Sequence, residues 1–167
     1  AHTRMLYVED DAEVREQLAQ FLRRRVQELI VAADGQEGLE AFRRLRPDIV
    51  ITDVCMSRLD GLSMVRQMKT LDASVPIVVT SAFSEPRYLL EAIELGVDRY
   101  VLKPLDTERL LEALEACSRV AHAERGLRLS QAIIDSASEA VVVLDAAGRI
   151  QSVNPAFRAQ TGYDAER

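Results

Sequence analysis

Ile49-Val50-Ile51-Thr52-Asp53 is the stretch whose reading decides the fold. A short β-branched run behind Pro47 reads as a strand buried on both faces, the kind found in parallel sheets, and its last residue is a carboxylate. In an open α/β sheet the ligand crevice lies outside the carboxyl ends of the strands, which is where this reading puts Asp53. Aspartate is also a common turn residue, so Asp53 taken alone could simply end the strand.

Working outward, the same unit recurs. Met5-Leu6-Tyr7-Val8 gives way to Glu9-Asp10-Asp11, and Val14, Leu18, Phe21 and Leu22 follow at helical spacing. A second strand is expected at 29–32, then an Asp34-Gly35 turn and a helix through Leu39, Phe42 and Leu45. After Asp53 come a loop through Asp60-Gly61 and a helix carrying Leu62, Val65 and Met68. Residues 76–81 form a fourth strand with Thr80 and Ser81 at its carboxyl end. A fourth helix is expected after Pro86, stopping at Gly96. Residues 99–102 make the fifth strand, closed by Lys103-Pro104, and Asp106 or Thr107 caps a helix through Leu110, Leu114 and Cys117. Five strand-helix units in succession make an α/β fold, a doubly wound five-stranded parallel sheet, because parallel neighbours need helical crossovers.

Composition sets bounds on this picture. The chain has 167 residues, 48% of them hydrophobic, enough for a packed domain and a further segment. A net charge of -6 argues against a nucleic-acid surface, which shows a basic stripe; Arg23-Arg24-Arg25 is too short to make one. No apolar run reaches the roughly 18 to 20 residues that cross a bilayer and no signal-peptide pattern opens the chain, so a cytoplasmic protein without membrane contact is expected. Cys55 and Cys117 fall in different elements without metal-ligand spacing and are expected to be free thiols. His2 and His122 have no partner pattern and are expected at the surface. The chain opens on Ala1 and closes at Arg167 just after a Gly-Tyr turn signal, so it is expected to be a piece of something longer.

The carboxyl ends of the strands carry Glu9 and Asp10, Asp53, Ser81 and Lys103. Three carboxylates converging on one crevice repel one another unless a pKa rises sharply or a hard cation lies between them. Oxygen ligands beside an open phosphate site suit Mg2+. Lys103 offers a point charge and Ser81 a hydroxyl to a phosphoryl oxygen, and Asp53 remains as the carboxylate able to attack phosphorus. This is the composition of a site that makes an aspartyl phosphate.

Glu9-Asp10, Asp53 with Met56 and Asp60-Gly61, Thr80-Ser81-Ala82, and Tyr100 with Lys103-Pro104 resemble the receiver domain of two-component response regulators, over residues 3–122. The resemblance implies a flavodoxin-like strand order 2-1-3-4-5. It also implies Asp53 as phospho-acceptor, with Mg2+ held by Glu9, Asp10, Asp53 and the backbone carbonyl of Cys55. Ser81 and Lys103 would contact the phosphoryl group. Tyr100 resembles the aromatic that turns inward as Ser81 is drawn to the phosphate, changing the face of the fourth helix, fifth strand and fifth helix. Cys55 and Phe83 would flank the path of attacking water and tune dephosphorylation. The Lys103-Pro104 peptide is often cis in the family. Asp11 is expected to start the first helix and not to ligate metal. The chain departs from the pattern at Ser57, where the family usually has proline, so a less rigid loop is expected there.

Beyond the receiver the fifth helix is expected to run on, since Gly126 is the single breaker before about Ser136; this gives a helical linker over 123–137. The seam of Leu110, Leu114, Cys117 and Ala121 shifts after Gly126 to Leu127, Gln131 and Ile134, an imperfect heptad. Residues 140–150 read as a hairpin, followed by Asn154-Pro155-Ala156-Phe157 and Thr161-Gly162-Tyr163. This resembles the opening of a PAS sensor domain, incomplete over 138–167. Because an incomplete sheet exposes an edge, the segment is expected to be disordered, helical or paired with a neighbouring chain.

The resulting expectation is a phospho-accepting module of a phosphorelay. Its partners would be a cognate histidine kinase or phosphotransfer protein and, through the helix continuation, a second copy of the chain. The PAS-like start points to a downstream histidine kinase or cyclic-di-GMP enzyme, and any conventional enzymatic output would lie outside this piece. One alternative is a receiver-like docking module that is never phosphorylated, against which the intact acidic pair, Asp53 and Lys103 argue. Another is a phosphatase of the haloacid dehalogenase type, which would want a second Asp where Cys55 stands.

Overall fold

In the computed structural model, residues 3–82 and 85–162 are described. Phe83, Tyr163 and His2, all singled out from the sequence, lie outside them. The chain divides between His122 and Ala123 into two compact units.

The first unit is a five-stranded parallel sheet of β1 (Arg4–Val8), β2 (Glu28–Ala32), β3 (Ile49–Asp53), β4 (Ile77–Ser81) and β5 (Arg99–Leu102), in the order β2-β1-β3-β4-β5. Between them run α1 (Ala12–Arg23), α2 (Gly35–Leu45), α3 (Gly61–Leu71) and α4 (Pro86–Glu94); α5 follows as one helix over Thr107–Ser136. Side chains alternate across each strand, and the two faces of the sheet bury separate cores. Leu6, Val8, Val50, Ile77 and Val79 pack with Leu39 and Phe42 of α2, Leu62, Val65 and Met68 of α3 and Ala92 of α4. Met5, Tyr7, Ile49, Ile51, Val78 and Val101 pack with Ala19 and Leu22 of α1 and Leu110, Leu114 and Cys117 of α5. Burial on both faces is what the unbroken β-branched runs required.

The registers Val8↔Thr52, Asp53↔Thr80 and Ser81↔Leu102 bring the carboxyl ends of β1, β3, β4 and β5 level, so the residues just beyond them share one rim. Asp34-Gly35 and Asp60-Gly61, expected as turn and loop, are helix starts. Asp34 accepts from the Glu37 amide and Asp60 from the Ser63 amide, each contributing about 1 kcal/mol, and the glycine is the first helical residue. Pro86 occupies the first turn of α4, and Gly96 follows that helix at φ 73°. The Lys103-Pro104 peptide is cis. Cys55 is exposed and Cys117 buried; both are free, and burial pushes the Cys117 thiol up to about 11.

In the second unit β6 (Val142–Leu144) and β7 (Ile150–Val153) form an antiparallel hairpin, and α6 covers Pro155–Thr161. The hairpin read from residues 140–150 is present, so the segment is neither disordered nor wholly helical. Fully buried Asn154 supplies the reason. Its Nδ2 donates to the carbonyls of Ile134 (3.1 Å) and Glu139 (2.9 Å), and its Oδ1 accepts from the amides of Val141 (2.9 Å) and Phe157 (3.0 Å). One side chain thereby ties the end of α5, the start of the hairpin and the cap of α6, satisfying backbone groups that a partial sheet would leave open. Among the described residues no helix is long and apolar enough to cross a membrane.

Candidate functional site

The rim begins with the acidic turn after β1. Asp11 accepts from the amides of Val14 (3.0 Å) and Glu13 (2.9 Å), which caps α1 and holds its carboxyl below the usual range. Asp11 is thus a helix start, as expected. Its neighbours Glu9 and Asp10 are left to face the crevice. Arg15 in the first turns of α1 donates through one nitrogen to the carbonyls of both Glu9 (2.7 Å) and Asp10 (3.0 Å), pinning the backbone of the acidic pair. Sequence reasoning missed Arg15; the available signal was a basic residue five positions after Asp10 on a helix that starts at the crevice.

Asp53 ends β3 almost fully buried, 8% exposed, and accepts from its neighbour's amide, Val54 (2.8 Å). The chain turns back at once: the Gly61 amide donates to the Val54 carbonyl (2.8 Å). A Cβ on Gly61 would overlap the Asp53 carbonyl oxygen, so glycine is what lets α3 start against the strand end. The loop between them, expected to be less rigid at Ser57, is tied on two sides. The Ser57 amide donates to Asp10 Oδ2 (3.0 Å), and Arg58, at φ 67°, pairs with Asp34 (2.8 Å). A proline at 57 would have had no such donor.

Glu9, Asp10 and Asp53 each present a carboxylate oxygen within 4.8 Å of the others. Lys103, carried in from the end of β5, lies 2.8 Å from Glu9 Oε2 and 3.2 Å from Asp53 Oδ2. Burial pulls the Lys103 ammonium down, but the Glu9 hydrogen bond and the Asp53 and Glu9 charges outweigh it and the net shift is upward. For Glu9 and for Asp53 burial wins over Lys103, so both carboxyls sit above their usual range. Two buried carboxylates with raised pKa beside a third is the signature of a site short of positive charge, and an all-oxygen donor set of this size fits Mg2+.

Ser81 ends β4 fully buried, and its carbonyl accepts from the Lys103 amide (2.7 Å), which fixes the strand ends that carry both residues. Tyr100 is half-buried and packs on the α2-α3-α4 side core. Cys55 stands exposed on the loop after Asp53. The structure therefore gathers Glu9, Asp10, Asp53 and Lys103 into direct contact or near contact, with Ser81 at the adjoining strand end. Tyr7 was also missed as a polar group: its hydroxyl lies close to Glu9 and Asp53, buried and without a hydrogen-bond partner among the described residues. Burial above all, then Glu9 and Asp53, pushes this phenol upward, so it stays protonated.

Residues 5–115 match the family model described as response regulator receiver domain, and residues 128–167 match that of the PAS domain. Chemotaxis protein CheY of Thermotoga maritima is 31% identical over 117 residues, covering 70% of this chain and 98% of that protein. Response regulator MprA of Mycobacterium leprae is 38% identical over 116 residues, 70% of this chain and 51% of that one. The chain spans about half the length of the MprA and CseB regulators it matches. Among solved structures, the N-terminal domain of an uncharacterized Wolinella succinogenes protein superposes with a TM-score of 0.69 at 39% identity, over 73% of this chain and 98% of that one. Vibrio cholerae CheY4 gives 0.66 at 27% identity, over 70% and 99%.

Proposed function

Because the chain belongs to the response regulator receiver family, we propose that its first unit, residues 3–122, is a phosphorelay receiver that takes a phosphoryl group on Asp53. The observation that carries this reading is the meeting of Lys103 with both Glu9 and Asp53 at the rim, beside Asp10. An Asp53 carboxylate oxygen attacks phosphorus and forms the new O–P bond. The bond from phosphorus to the donor breaks, and its electron pair leaves with the imidazole of a phosphohistidine or the carboxylate of acetyl phosphate.

Receiver domains bind Mg2+ at this acidic pocket and interact with histidine kinases or phosphotransfer proteins. Here Glu9, Asp10, Asp53 and the Cys55 carbonyl would hold the ion, which supplies the charge that offsets clustered carboxylates and a phosphoryl dianion. Lys103 then exchanges its contact with Asp53 for a phosphoryl oxygen. Ser81 donates its hydroxyl to another, and Tyr100 moves inward on the space Ser81 opens. The surface altered in this way is that of α4, β5 and α5, where Leu90 and Ile93 are already exposed. Through the linker of 123–137 the change would reach the PAS-like segment, 138–167, and a downstream histidine kinase or cyclic-di-GMP output. Leu127, Leu129 and Ile133 stand exposed on the continuing α5, apolar surface that a second copy of the chain would cover.

Thermal unfolding with beryllofluoride, a phosphoryl mimic, tests the site. Stabilisation is expected when Mg2+ is also present and is expected to vanish in Asp53→Asn. Equal stabilisation in that variant, or without Mg2+, refutes the reading.

A further inference from the structure

We infer that the backbone amide of Ser57 is a positioning group for Mg2+, holding the Asp10 carboxylate in the orientation from which it ligates the ion. The inference rests on the reading of Glu9, Asp10 and Asp53 as the metal-holding set.

Three observations carry it. Arg15 bonds the carbonyls of Glu9 and Asp10, so the backbone of the acidic pair is fixed from the α1 side and only the side-chain torsions of Asp10 remain free. The Ser57 amide takes one of the two Asp10 oxygens, Oδ2, at 3.0 Å, a charge-assisted bond that spans 47 positions of sequence. In that bonded orientation one Asp10 carboxylate oxygen lies within 4.8 Å of carboxylate oxygens from Glu9 and Asp53, so the orientation held by Ser57 is one in which the three carboxylates converge.

The donor is itself held. The Ser57 carbonyl accepts from Leu59 (2.9 Å), and the next residue, Arg58, stands at positive φ with its side chain paired to Asp34 at the cap of α2. A non-glycine residue in that region is uncommon and needs surroundings that enforce it. Gly35 serves the same end: a Cβ there would overlap the Leu59 carbonyl, so the loop and the start of α2 lie in backbone contact. The loop is thereby set at the height where the Ser57 N–H meets Asp10. Aspartate has two side-chain torsions, and choosing one orientation before the ion arrives removes an ordering cost from binding.

The test uses the whole chain and MgCl2 as the probe, with affinity read from amide shifts in an NMR titration and stability read separately without Mg2+. Ser57→Pro removes the N–H and nothing else from the backbone's donors. It is expected to weaken Mg2+ binding about tenfold, the equivalent of one hydrogen bond to a charged group of ~1.4 kcal/mol. Ser57→Ala keeps the N–H and is expected to stay within about twofold of the parent, which a role for the hydroxyl would not produce. If the proline variant binds within twofold of the alanine variant, or if both weaken alike, the inference is overturned while the metal reading stands. If the parent protein binds no Mg2+, both fall. Should Ser57→Pro not fold, hydrogen exchange of the Ser57 amide in the parent decides. Slow exchange in the Mg2+-free parent, lost in Asp10→Ala, supports it; exchange as fast as an open loop amide overturns it.

Discussion

Replacing Lys103 by Met keeps the apolar stem but removes the ammonium from between Glu9 and Asp53. The Glu9 side chain is 2% exposed and that of Lys103 20%. Removing one partner of a buried pair typically costs about 3–5 kcal/mol, because a charge is left without its partner. Since Lys103 retains some contact with water and the Asp11 amide still approaches Glu9 at 3.4 Å, the lower end applies, about 3 kcal/mol. Against a total of roughly 5–15 kcal/mol this is readily seen in urea unfolding. The loss has a predicted pH dependence. Burial already raises the Glu9 pKa, and without Lys103 it rises further, so the folded variant binds more protons than its unfolded chain above the ordinary Glu value of about 4.5. The variant's stability therefore falls as pH rises from there through the folded pKa, and recovers on acidification. In the parent, Lys103 carries a raised pKa, so its contribution is complete below 10.5 and is lost as pH rises past its folded value. The deficit should thus be widest near neutrality and shrink toward pH 5. A loss under about 1 kcal/mol, or one that is constant between pH 5 and 8, would refute the claim that a buried ion pair organises the site. Metal affinity in this variant should remain largely intact while the response to a phosphoryl mimic is lost.

Asn154→Ala should unfold the hairpin and α6 selectively, since it removes five part-buried bonds to backbone groups at about 1 kcal/mol each or less; hydrogen exchange would then accelerate in 140–161 while β1 to β5 stay protected, and uniform protection would count against it. If Cys55 and Phe83 flank the path of attacking water, as the family resemblance implies, the phosphorylated form should be long-lived, since neither side-chain type orients water well. Phe83→Ala should shorten its lifetime, and an unchanged decay rate removes the shielding idea. The chain should dimerise through the continuation of α5, with the α4-β5-α5 face as the phosphorylation-sensitive contact. Light scattering on the whole chain and on one ending at Val120 separates the two surfaces, and monomers of both at tens of micromolar, with and without a phosphoryl mimic, would contradict this.

The strand and helix order was legible because two-faced burial writes itself as unbroken apolar runs: Ile49 to Ile51 and Ile77 to Val79 are each fully buried. Glu9, Asp10, Asp53, Ser81 and Lys103 were legible as residues for a related reason, namely that polar side chains at the ends of such strands share a rim. What supports them was not. Arg15 acts on carbonyls and Ser57 through its amide, and a backbone hydrogen bond leaves no mark in residue identity. At position 57 sequence pointed the other way, since losing a proline reads as losing rigidity when in fact it gains a donor. The hairpin was legible as a hairpin, but its order depends on Asn154 reaching Ile134 twenty positions earlier, a contact that periodicity cannot express. Tyr7 looked like one more apolar strand residue, and its buried hydroxyl close to two carboxylates emerged only from the packing.

The most direct test of the central claim is the intact mass of the chain after incubation with acetyl phosphate. With Mg2+ present, the account predicts the gain of a single phosphoryl group, lost on chelation and absent from Asp53→Asn. A phosphoryl gain that persists in Asp53→Asn, or that is indifferent to chelation, would contradict it.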